Sequence, residues 1–165
     1  MIIVKKPGYL IYKKYIFNCS LGRKGIKKKI KEGDGITPYG TFKLLKIFYR
    51  ADRVSSLKTN LKKIKINKNM GWCDDPNSKF YNKQIWLPHK DHHEKLYRND
   101  NIYDVLIVLN YNMNPIIKGK GSAIFIHFAN KQFKPTGGCI ALRKKDLLLL
   151  LNVIKKNTKI KIQKF

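Results

Sequence analysis

The sequence predicts a mostly β domain, a curved sheet or sandwich with one helix packed on it. Three observations carry that reading. Short stretches rich in Ile, Tyr, Phe and Val recur between clusters of Gly, Pro and Asn. Only one segment keeps a helical period, with Leu147, Leu150, Leu151 and Ile154 at i, i+3, i+4 and i+7. The 165 residues suit one core and show no repeat or linker, so a single domain over residues 1–165 is expected.

The elements follow in order. "IIVKK" and "YLIYKKYIFNCSL" are β-rich and broken at Pro7-Gly8 and around Lys13-Lys14, which predicts a small meander. "GRKGIKKKIKEGDGITPYG" reads as a long loop, rich in Gly and charge. "TFKLLKIFYR" reads as a buried strand. Residues 51–84 have weak periodicity and several turn signals, and part of that stretch is expected to be exposed. "NIYDVLIVLNYN" and "AIFIHFA" are the two clearest core strands, joined by a turn around "MNPIIKGKGS". After the helix, "TKIKIQKF" alternates and closes the chain as a strand.

The formal charge of +26 invites a nucleic-acid reading. Five of the 36 basic residues are Arg and 31 are Lys, and Ile and Asn are abundant too, a bias that an AT-rich genome produces by itself. The lysines are scattered rather than interleaved with aromatic stacking platforms, so no specific nucleic-acid partner is expected. Less specific attraction to anionic polymers, those of a cell wall included, is. No apolar run approaches the ~20 residues of a membrane span, and "MIIVKKPGYL" lacks a cleavable signal pattern. Cys19, Cys73 and Cys139 cannot all pair, and none stands at CxxC spacing. Cys19 reads as a small core residue, and whether Cys73 pairs with it stays open.

"IFIHFANKQFKPTGGCIAL" carries the chemistry. A thiol attacks well as the thiolate, and an isolated one is mostly protonated at neutral pH. A neighbouring imidazole accepts that proton and later delivers it to a leaving amine. His127, twelve residues before Cys139, lies far enough upstream for the chain to loop back and present both side chains at one sheet edge. Gly137 and Gly138 permit unusual dihedrals and let a carbonyl approach the main chain, so the N–H groups of Gly138 and Cys139 are candidate oxyanion donors. The Thr136 hydroxyl is placed to order the turn. The bland alternative, a satisfied core histidine and a buried small cysteine, fits the spacing equally well.

Three blocks resemble the L,D-transpeptidase catalytic domain family. Thr37, Pro38, Gly40 and Phe42 in "GDGITPYGTFKL" match its Thr-Pro-x-Gly-x-Phe block, "SAIFIHFA" its catalytic-histidine strand through His127, and "PTGGCIAL" its nucleophile block through Cys139. "GWCDDPNSKFYNKQIWLP", "HHEKLYRND" and "YDVLIVLNYN" resemble a compact branch of that family. The resemblance implies a curved β-sandwich with a short helix after the nucleophile block, a Cys139 nucleophile, a His127 base and no metal or organic cofactor. It implies attack at the bond before D-Ala in a peptidoglycan stem tetrapeptide, a thioester, and its resolution by an amine of another stem or by water. A periplasmic or cell-wall location is implied, against the absence of a visible signal; a chain complete as written would be cytoplasmic. A monomer is expected. The usual Ser/Thr-His-Gly-Cys block has Gly137 in place of its histidine here, and Ala141 replaces the polar residue after the cysteine.

Secondary candidates are weaker. Arg143 is considered as a replacement for the lost positioning groups. Tyr39 and Trp72 are weighed between packing and lining the cleft, and His93 and Glu94 as residues bordering it. Asp74 and Asp75 either cap a turn or bind an ammonium group. A metal site from Cys73, His89, His92 and His93 is not favoured, because Cys73 and His89 stand too far apart for the usual pair spacing. Acyl transfer on stem peptides is thus the leading reading. The alternatives are an L,D-carboxypeptidase acting by hydrolysis, a non-catalytic basic wall-binding module, and a nucleic-acid binder motivated by charge alone.

Overall fold

In the computed structural model, which describes residues 1–164, the chain opens with the expected meander. Strands β1 (Ile2–Lys5), β2 (Tyr9–Tyr12) and β3 (Tyr15–Ser20) pair antiparallel in turn. The breaks fall at Pro7-Gly8 and Lys13-Lys14, and Lys13 takes a φ of 52° there. The Gly-rich loop contains one parallel bridge of short strands, β4 (Ile26–Lys27) and β5 (Thr37–Pro38). Then come β6 (Gly40–Tyr49), β7 (Lys63–Lys65), β8 (Met70–Cys73), β9 (Gln84–Trp86) and β10 (His93–Lys95). The chain ends with β11 (Val105–Leu109), β12 (Phe125–Phe128), β13 (Ile140–Leu142), α1 (Lys144–Val153) and β14 (Lys159–Ile162). Phe165, last residue of the expected closing strand, lies outside the described residues.

The main sheet runs β11-β12-β13-β3-β2-β1-β14-β6-β7, and β11 pairs with β6 as well. The long strand β6 makes this closure possible. Its first residues, Gly40–Lys43, pair with β14, and Leu44–Tyr49 pair with β11. One strand therefore belongs to both layers, and the sheet curves round on itself as the expected sandwich. Residues 63–95 depart from the sequence reading, which saw little order there. They supply β7 and a second, three-stranded sheet, β10-β8-β9.

All five residues of β11 are buried, because each of its faces meets a core. Val105, Ile107 and Leu109 enter the main core, which α1 and the meander share. Leu106 and Val108 face a second cluster with Phe48, Met70, Trp72, Tyr103 and Phe125. A strand covered on both sides reads as a continuous apolar run, not as an alternation. Trp72 belongs to this second core and not to a groove wall. It is 3% exposed, packs edge-on against Phe48 and Phe125, and its Nε1–H donates to Asn82 Oδ1 at 3.1 Å.

The Thr37-Pro38-x-Gly40-x-Phe42 block is architectural. Thr37 Oγ1 accepts the Gly22 N–H at 2.8 Å. Gly40 holds a φ of 141°, and a Cβ there would meet the Phe42 ring at 2.9 Å. Cys19 and Cys73 are both free and buried, Cys19 in the main core and Cys73 in β8. No helix among the described residues is long and apolar enough to cross a membrane.

Leu147, Leu150, Leu151 and Ile154 are fully buried, as the helical stripe predicts, whereas Leu149 is 40% exposed. Leu150→Ala should therefore lower unfolding stability by about 3 kcal/mol through the cavity it leaves, and Leu149→Ala by less than about 0.5 kcal/mol. Denaturant melts of the two variants check this.

Candidate active site

Strands β12 and β13 are parallel neighbours, with Ile126 opposite Ile140 and His127 opposite Ala141. That register sets Cys139 level with Phe125, one strand across and two residues back from His127. Residues two apart share a face, so both side chains open on the same side of the sheet. They line one cavity of about 410 Å³.

The sulfur is held on two sides, by the strand that carries the histidine and by the segment leading into it. The Phe125 N–H donates to Sγ at 3.3 Å, and the thiol donates to the Ala123 carbonyl at 3.1 Å. Ala123 is itself pinned in the left-handed region, φ 52°, with its N–H on Asn82 Oδ1. Burial, aided by the nearby Glu94 carboxylate, pushes the Cys139 thiol up to about 12 against the opposing Phe125 N–H and Lys29. Burial also pulls the His127 imidazole down to about 4, although its bond to the Phe128 carbonyl works the other way. Both shifts favour the uncharged forms, so the resting pair is a neutral thiol and a neutral imidazole. His127 Nδ1 lies 2.8 Å from the Phe128 oxygen, which makes it the N–H donor and leaves Nε2 with the lone pair. The Tyr103 ring stands edge-on to the imidazole, 5.4 Å between centroids.

The glycine turn is built by Thr136. Its Oγ1 donates to the Cys139 carbonyl at 2.6 Å and accepts the Gly138 N–H at 3.1 Å. The Gly138 N–H is therefore committed, which corrects its assignment as an oxyanion donor. Among the described residues no acceptor takes the Cys139 N–H. Gly138 holds a φ of 145°, and a Cβ there would press on the Ile36 oxygen at 2.8 Å. Gly137 has nothing within 4 Å of the same point. The position where the common family block carries a second histidine is open space here.

The rest of the wall comes from segments with no periodic signal. In the Gly-rich loop, Lys29 and Asp34 form a buried ion pair at 2.6 Å. Burial alone would raise Asp34, but Lys29 and the N–H groups of Ile30, Ile36 and Lys31 outweigh it and hold the carboxyl at about 2. Glu32 from the same loop bonds the Tyr81 hydroxyl. Across the cavity, His92 Nδ1 sits 2.5 Å from Asp74 Oδ1, which raises the imidazole. Glu94 accepts the Tyr103 hydroxyl at 2.6 Å, and burial raises its carboxyl.

Of the weaker candidates, Glu94 and Asp74 line the cavity, whereas Tyr39, Trp72, His93, Arg143 and Asp75 do not. His93 turns away to bond the Asp91 carbonyl at 2.7 Å, and its neighbour His92 faces the cavity instead. Tyr39 lies outside the lining, 38% exposed. Arg143 precedes α1, is exposed, and lays its guanidinium over Phe133 at 5.6 Å. Asp74 lines the cavity, and Asp75 caps a turn through the Asn77 N–H. His89 packs on Phe80 and accepts the Asp91 N–H. Among the described residues no three His, Cys, Asp or Glu side chains are grouped to hold a metal ion. Lys29, Glu32, Tyr103 and Ser122 were not foreseen.

A cysteine and a histidine that line one cavity at the joint of two parallel strands agree with the family match. The chain belongs to the L,D-transpeptidase catalytic domain family, YkuD, which matches residues 1–162. No curated protein matches it. Similar solved structures include two of bacterial proteins. L,D-transpeptidase 1 of Mycobacterium tuberculosis shares 12% identity at a TM-score of 0.43, over 98% of this chain and 57% of that one. Bd1075 of Bdellovibrio bacteriovorus shares 15% at a TM-score of 0.49, over 99% and 47%. The chain spans about half the length of these two.

Gly138→Ala should lower stability by about 2 kcal/mol, since it adds both strain and a backbone contact. Gly137→Ala should cost less than about 0.5 kcal/mol; melts of both variants decide. The folded His127 stays neutral down to about 4 while the unfolded imidazole protonates near 6.5, so the unfolded state binds the extra proton between these values. Stability should fall as pH drops through that window, by about 3 kcal/mol at most. His127→Gln should flatten this part of a stability-against-pH curve, leaving the lower loss that Asp34 imposes as pH falls from its unfolded value toward about 2.

Proposed function

We propose that this chain transfers the acyl group of a peptidoglycan stem peptide through a thioester on Cys139, with His127 as the general base. What supports the reading is that the Cys139 sulfur and the His127 imidazole, from paired parallel strands, line one cavity. Membership of the L,D-transpeptidase catalytic domain family supports it too.

The step runs from the neutral pair. As a stem tetrapeptide enters, the S–H turns from the Ala123 carbonyl toward Nε2 of His127. Sulfur bonds to the carbonyl carbon of the third residue while its proton passes to Nε2. The carbonyl oxygen takes the negative charge and meets the Cys139 N–H. The imidazolium then protonates the amine of D-Ala, the C–N bond breaks, and D-Ala leaves. An amine of another stem resolves the thioester to a cross-link, or water resolves it to a tripeptide. Because the thiol starts high and the imidazole low, the reaction has a broad neutral window instead of a narrow bell.

A stem tetrapeptide donor should release D-Ala and give one acyl adduct on the protein, seen by intact mass. Cys139→Ala should lose both, and His127→Ala should slow acylation by about 100-fold or more. Cys19→Ala and Cys73→Ala should keep both. Release of D-Ala by the Cys139→Ala protein refutes the proposal.

A further inference from the structure

The cavity is acidic in a chain that is not. Only ten residues of this +26 protein are Asp or Glu, and three of them, Glu32, Asp74 and Glu94, line the Cys139 cavity. Its cations are largely committed. Lys29 is bound to Asp34, the Arg23 guanidinium donates to the Gly33 carbonyl at 3.1 Å, and His92 is paired with Asp74 at 2.5 Å, which leaves Glu94 with no cation on it among the described residues. Glu94 has one oxygen on the Tyr103 hydroxyl, and no hydrogen bond or ion pair occupies the other among the described residues. Asp74 and Glu32 act on it as like charges, and Arg98 offsets them only partly.

A second feature points to a missing donor. Ser122 is 5% exposed, lines the same cavity, and its Oγ completes no hydrogen bond of ordinary geometry, although it lies close enough to act on the Tyr81 hydroxyl. A buried hydroxyl left this way normally meets a ligand or a water. Mutually repelling carboxylates and an unspent oxygen share one preferred guest, a compact cation with several N–H donors. A primary ammonium has that chemistry.

We propose that Glu94, braced by Tyr103 and flanked by Glu32 and Asp74, docks the ammonium of the amine that resolves the Cys139 thioester, so that aminolysis prevails over hydrolysis. This rests on the acyl-transfer reading above. The docked ammonium loses one proton to solvent. Its nitrogen then bonds to the thioester carbon, the C–S bond breaks, and the second proton passes through His127 to sulfur, which restores the thiol. Glu94 selects the acceptor and His127 moves the proton.

The test measures how the acyl-enzyme partitions. A stem tetrapeptide donor is held at a saturating concentration with an added amine in excess, and amide and tripeptide products are counted by mass. Two amines are compared at neutral pH: Nα-acetyl-lysinamide, which is cationic, and methoxyamine, which is not. Glu94→Gln keeps an acceptor for the Tyr103 hydroxyl and removes the charge. It should lower the amide-to-tripeptide ratio for the lysine amine by about tenfold, the loss of one close charge pair. The ratio for methoxyamine should move by less than about twofold. Asp74→Asn, farther from Tyr103, should lower the first ratio by about threefold, and serves if the Glu94 variant does not fold. Equal falls for both amines overturn the proposal, as does an unchanged ratio with a raised KM for the donor, which would place the donor's own ammonium at Glu94. If the wild-type protein releases no D-Ala, the acyl-transfer reading fails instead.

Discussion

The parallel pairing of β12 with β13 is the constraint on which the site depends. It fixes Cys139 beside Phe125 and two residues short of His127, so the two side chains share a face. Parallel neighbours need a long connection, and the chain uses it to build the glycine turn that Thr136 ties together. A one-residue slip would send one of the pair to the opposite face. The register is defended by burial, since Phe125, Ile126, Phe128, Ile140 and Leu142 are all within 2% of full burial.

That burial also sets the chemistry. The β11–β12–β13 layer has a core on either side, and the sulfur lies at the rim of the second one. Desolvation disfavours both the thiolate and the imidazolium, so the pair rests uncharged. The Phe125 N–H and the Ala123 carbonyl hold the thiol meanwhile. An uncharged thiol resists oxidation and stray electrophiles, and the charge separation appears only when a carbonyl arrives to receive the sulfur. The acidic wall opposite contributes in the same sense, because Glu94 further disfavours a free thiolate.

Strands and motifs were legible in the sequence to different depths. The meander, the core strands around 105–109 and 125–128 and the helical stripe follow from periods that burial enforces. His127 and Cys139 are visible because the glycines before the cysteine have no structural need outside a turn. Gly138 has such a need and Gly137 does not, a difference that only the approach of the Ile36 oxygen reveals. Trp72 stayed open between packing and lining because a large aromatic suits a wall as well as a core, and its burial decides for the core. His93 and His92 exchange roles because a short edge strand turns successive side chains to opposite faces. The Gly-rich loop was the largest blind spot. Its Lys29 and Asp34 are buried by contacts made far along the chain, and no local pattern marks a lysine that will find its carboxylate five residues on.

The proposed chemistry turns on where the proton of Cys139 sits before substrate arrives. Ultraviolet absorbance of the thiolate, taken as the difference between the wild-type protein and Cys139→Ala across pH, reads that directly. Burial with the Ala123 carbonyl as acceptor predicts no thiolate signal from this sulfur between about pH 5 and pH 9. A signal already full near pH 6 would mean an ion pair with His127 at rest, and would contradict the neutral pair from which the mechanism is built.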